Sequence, residues 1–99
     1  MQIKIDLKVP SQREHKKLHW QLREAKKFQM IEAVKQVMIL QDQHRRYPNL
    51  LLQIGGSIKP EHCYIAPILA ALRTTGWLEE DCTITLRVDP AFKGLLICL

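Results

Sequence analysis

Apolar and polar residues alternate over residues 3–9, with Ile3, Ile5, Leu7 and Val9 on one side and Lys4, Asp6 and Lys8 on the other. A period of two predicts a half-buried strand, and Pro10-Ser11 ends it. Residues 13–22 read as a loop or as the beginning of a helix. From 23 to 43 the period lengthens to that of a helix. Phe28, Ile31, Val34 and Met38 make its apolar stripe, Ala33, Val37 and Leu40 widen it, and Lys26, Lys27, Glu32, Lys35 and Gln36 lie mostly outside it. Pro48 then disfavours helical geometry at Tyr47. Residues 50–54 read as a short strand that stops at Gly55-Gly56. A second helix follows, with Pro60 suited to its first turn and Ile65, Ile68, Leu69 and Leu72 as its apolar face. Pro67 conflicts with that start, so the helix either kinks or begins near Pro67. Gly76 suits its C-terminal stop. Residues 77–81 read as a connection, 82–88 as an alternating strand, 89–94 as a turn region and 95–99 as a last strand. The order β-α-β-α-β-β predicts an α+β fold, a small mixed sheet with two helices packed on one face.

Ninety-nine residues suit one domain, 1–99, with a real core and modest stability. With 46% hydrophobic and 25% charged residues, the composition is that of an ordinary folded protein and argues against intrinsic disorder. No apolar run approaches the ~18–20 residues of a membrane span. The opening residues carry Lys4, Asp6 and Lys8 and lack the apolar core of a signal peptide, so a cytoplasmic location is expected. Cys63, Cys82 and Cys98 are odd in number, and no CxxC pair exists. They predict buried free thiols rather than a disulfide framework or a structural zinc site.

Charge changes the picture more than composition does. The net charge is +5, yet residues 1–46 hold eleven Lys or Arg against five acids, and residues 47–99 hold four against five. The densest stretch carries Arg13, Lys16, Lys17, Arg23, Lys26 and Lys27, with His15 and His19 among them. Such a patch neutralises phosphates and releases condensed counterions, and Trp20 offers a stacking surface for an exposed base. The plainer alternative is a solvated basic face with Trp20 in the core.

Other motifs are weak. Gly55-Gly56-Ser57 precedes a helix but matches neither a Walker loop nor GxGxxG, so a plain turn is preferred. His15 and His19 are four apart without a third ligand in the neighbouring sequence, which argues against a metal site. Glu79, Glu80 and Asp81 form an acidic run that suits either a hard cation such as Mg²⁺ or an exposed turn. No Ser/His/Asp or Cys/His constellation assembles from spacing.

Three segments, taken in order, carry a family resemblance: VPS at 9–11 after the first strand, LHWQLR at 18–23, and ILAALRTTGWLEED at 68–81. With the element order, they make the chain resemble the RusA-type crossover-junction endodeoxyribonucleases, small nucleases common in phages. The resemblance runs through most of the chain. It implies a homodimeric, Mg²⁺-dependent nuclease acting on four-way (Holliday) DNA junctions. The family holds its metal with an Asp-x-Asp-Asn segment at the second helix and an Asp in the later acidic pair. Asp81 falls on that later position, beside Glu80. The first segment departs from the family pattern. Its four positions fall on Ser57, Ile58, Lys59 and Pro60, and only Glu61 is close by. The family's lysine in that helix has no counterpart, and Arg13 stands where an Asn is expected. A metal nuclease needs carboxylates to hold the ion that activates water, and Lys59 puts a positive charge in that place.

Three functions compete. The first is a RusA-like DNA-binding pseudoenzyme with its nuclease activity lost or impaired. It would grip branched or duplex DNA with Arg13, Lys16, Lys17, His19, Arg23, Lys26, Lys27 and Lys59. The second is an active nuclease with a rearranged site, Asp81 and Glu80 catalytic and Asp81, Glu80 and Glu61 holding Mg²⁺. The third is a phage-type module that binds and inhibits a host or defence protein. The apolar terminus LLICL adds an expectation of edge pairing and a homodimer, against the alternative of a central strand in the chain's own sheet.

Overall fold

Seven side chains on alternate strand positions, Ile3, Ile5, Leu50, Leu52, Ile54, Leu95 and Ile97, are buried and floor the core. The computed structural model describes residues 1–41 and 45–99. Its strands are β1 (Gln2–Ile5), β2 (Tyr47–Gly55), β3 (Leu78–Asp89) and β4 (Leu95–Cys98). Its helices are α1 (Gln12–Lys16), α2 (Trp20–Ile39) and α3 (Ala66–Thr74), with a 3₁₀ turn at Pro60–His62. The four strands form one mixed sheet in the order β1-β4-β2-β3. Leu52 pairs with Ile97 and Ile97 with Ile3, so alternation on each strand aims the same face at the helices. Met30, Val34 and Met38 of α2 and Ile68, Ala71 and Leu72 of α3 close the core over it. The fold is α+β, as the pattern predicts. No helix among the described residues is long and apolar enough to cross a membrane.

β2 and β3 pair in parallel, while β4 is antiparallel to both β1 and β2. β1, β2 and β3 therefore point the same way, and the segments that leave their C-terminal ends gather at one end of the sheet. There Ser11 bridges Cys63, Tyr64 N–H donates to the Pro10 carbonyl at 2.9 Å, and Gly55 N–H donates to the Gly94 carbonyl at 3.0 Å. Gly55 is required by this closure, because a Cβ on it would collide with the Phe92 carbonyl.

The differences from expectation have local causes. β1 stops at Ile5, and Leu7 N–H turns back to the Ile5 carbonyl at 2.9 Å. Pro60 opens the 3₁₀ turn, and α3 begins at Ala66 with Pro67 in its first turn, which resolves the conflict as a late start. Gly76 ends α3 with φ +78°. The connection expected at 77–81 is strand from Leu78 onward, since Tyr47 N–H donates to the Trp77 carbonyl at 2.9 Å and the register shifts before Asn49 meets Thr83. Phe28 is off the core stripe and 63% exposed, whereas Met30 takes its place. The predicted helix end at Gln43 lies outside the described residues. LLICL forms β4, an interior strand between β1 and β2, so its apolar character needs no second copy. Cys63 is buried, Cys82 and Cys98 are half-buried, and all three are free.

Candidate nucleic-acid interface

Ser11 starts the basic segment as a helix rather than a loop. Its hydroxyl accepts from Glu14 N–H at 3.0 Å and donates to the Glu14 carboxylate at 3.2 Å. This is a reciprocal N-terminal cap, close to a capping box. His19 caps α2 in turn, its Nδ1 accepting from Gln21 N–H at 3.4 Å. His19 is thereby exposed, and Trp20 beside it is 59% exposed, with ring centroids 5.9 Å apart. The question of Trp20's direction is settled toward solvent.

The two helices present the cations differently. Arg13, Lys16 and Lys17 of the α1 segment line one cleft with Ser11, Ile58 and His62. Lys59 lies between two of these lining residues in sequence and is exposed. On α2 nothing before Met30 is buried, so the first half of the helix projects from the globule. Arg23, Lys26 and Lys27 belong to this projecting half, together with exposed Leu22 and Phe28. Among the described residues, none of these seven cations has a carboxylate within ion-pair distance. Their field is therefore not compensated by ion pairing among the described residues.

His15 is the exception in the segment. It is buried, its ring stacks on Tyr64 with centroids 4.0 Å apart and planes 15° apart, and its Nδ1 has no hydrogen-bond partner. Charge density in the sequence does not separate His15 from its solvated neighbours. Its burial depends on Tyr64, which the loop after β2 brings over α1.

The carboxylates are dispersed. Glu61 is exposed in the 3₁₀ turn beyond the C-terminal end of β2. Glu80 and Asp81 are exposed near the N-terminal end of β3. Gly55 pairs with Asp89 and Tyr47 with Leu78, so topology puts Glu61 and the Glu80-Asp81 pair toward opposite ends of the parallel pair. Among the described residues no group of three His, Cys, Asp or Glu gathers. Of the expected Asp81, Glu80 and Glu61 set, Asp81 and Glu80 are neighbours on β3 while Glu61 lies beyond β2, and Ser57 to Pro60 carry no carboxylate. Burial, and then Glu61, push the Cys63 thiol above its ordinary pKa. Burial does the same for Cys82; Arg73 opposes it, and Glu79 and Asp81 add to it. Both thiols are held neutral, which removes them as nucleophiles near neutral pH.

Comparison of the chain with protein-family models, with curated proteins and with solved structures returns no match.

Proposed function

We propose that the chain binds nucleic acid, duplex or branched DNA, through α1 and the projecting half of α2, as a RusA-like protein whose nuclease activity is lost or impaired. One observation carries the reading: Arg13, Lys16 and Lys17 share a cleft, and Arg23, Lys26 and Lys27 extend the field along α2, all without ion-pair partners among the described residues. The dispersal of Glu61 from Glu80 and Asp81 supports binding over cleavage. Lys59 supplies a fixed positive charge near the α1 cleft, where the resembled family has a metal-bound carboxylate. The test is a labelled four-way junction against matched duplex, first in EDTA, then with Mg²⁺ or Mn²⁺. Metal-independent binding without cleavage is expected. Cleavage abolished by Asp81→Asn overturns the pseudoenzyme reading.

A second reading has its own observation. Trp20, Leu22 and Phe28 are 59%, 53% and 63% exposed on the first half of α2, large apolar side chains that a protein partner would cover. A module that engages an acidic host or defence protein would use the same helix. A stoichiometric complex with such a protein, with no DNA affinity at low salt, would favour it.

A further inference from the structure

Beside the basic face lies a cleft that phosphate contacts alone leave unfilled. The segment after β1, α1 and α2 enclose about 540 Å³, within the roughly 300–1,000 Å³ of small-ligand pockets. Leu7, Leu18, Met30 and Ala33 give it apolar walls, and Lys8 and Lys26 are both in its lining. Glu14 lies there too, but its carboxylate already accepts from the Ser11 hydroxyl at 3.2 Å. His15 forms part of the wall, its Nδ1 shut off from the open space of the cleft, and Gln29 adds an amide.

We propose that this cleft receives one unpaired base of a nucleic-acid strand, with Lys8 and Lys26 meeting the adjoining phosphates. The inference rests on the nucleic-acid reading above and names the part of the ligand that enters the fold. Lys8 and Lys26 leave the lining one positive charge in excess over Glu14, which favours a ligand carrying phosphate beside its base. Apolar walls suit the two faces of a base. The polar edge of a base provides donors and acceptors for the Gln29 amide, which an acyl chain does not. His15 in its wall precedes Lys16, which lines the neighbouring basic cleft, so the two clefts flank the same short helix.

Fluorescence anisotropy with a short labelled single strand, and with the same strand built from abasic tetrahydrofuran units, tests this on the unaltered protein. Stacking of a base is worth enough that the abasic strand should bind about tenfold more weakly. Ala33→Phe fills the cleft without changing charge. It should weaken the intact strand by a similar factor and leave the abasic strand unchanged. Equal binding of the two strands to the unaltered protein overturns the base pocket and leaves phosphate binding standing. No salt-dependent binding to either strand, with duplex or junction binding retained, overturns the pocket alone; no binding to any of these probes overturns the pocket and the proposed function together.

Discussion

Ser11 ties the first turn of α1 to Glu14, and that turn carries the cations of the cleft. Removing an N-cap hydroxyl typically costs about 1 kcal/mol, so Ser11→Ala should lower stability by that amount in urea unfolding. DNA affinity should fall with it as α1 frays. Cys63 makes a second residue-scale prediction. Its folded pKa is raised by burial and then by Glu61, so the neutral thiol is the form the fold prefers. The resulting stabilisation is complete below the ordinary thiol value of 9.0 and is lost as pH rises through the raised value. Urea midpoints should therefore drop on going from neutral to alkaline pH in the native protein, and less so in Cys63→Ala. An identical alkaline drop in both would contradict this assignment. The sequence leaves the start of α1 open between loop and early helix, and the Ser11–Glu14 hydrogen bonds of the structure decide it as helix. The burial of His15 is not legible in the sequence, because it depends on a loop some fifty residues away folding back over it, bringing Tyr64 into contact.

α2 contains both the core anchor and the projecting arm. Met30, Val34 and Met38 repeat every four residues and are buried, while the ten residues before Met30 bury none. Met30→Ala should cost about 2–4 kcal/mol, and Phe28→Ser should stay within about 0.5 kcal/mol. Thermal melts of the two variants check the assignment, and a Phe28→Ser loss as large as that of Met30→Ala would refute it. The existence of this helix was legible from period alone, but its core face was two positions out at Phe28. Ten unburied residues dilute the stripe with the exposed apolar groups Trp20, Leu22 and Phe28. The start of β3 was hidden for a different reason. Glu79, Glu80 and Asp81 are poor strand formers, and their strand geometry comes from the pairing of Tyr47 with Leu78 across a shifted register. Strand order was equally out of reach, since alternation tells which face a residue takes and not which strand lies beside it.

Across the whole molecule, charge and topology point to one end. The C-terminal ends of β1, β2 and β3 collect the loop before α1, the turn at Pro60–His62 and the start of α2, and these bring Arg13, Lys16, Lys17 and Lys59 into one region. Glu79, Glu80 and Asp81 sit toward the other end of β3. The uneven charge of the two halves of the chain was readable as a composition shift, and the fold gathers part of it at one end, while Glu61 lies at that same end and Arg45 sits over Tyr47 at the other. Such an arrangement favours rapid, salt-sensitive association with a polyanion. The most direct test of the central claim is the affinity for a labelled DNA duplex in EDTA, measured by anisotropy across a salt series. If the six cations of α1 and α2 each neutralise a phosphate, log Kd against log salt should have a slope of magnitude about 5, and Arg13→Ala/Lys16→Ala/Lys17→Ala should reduce it to about 3. A flat salt dependence, or an unchanged slope in the triple variant, would contradict the account.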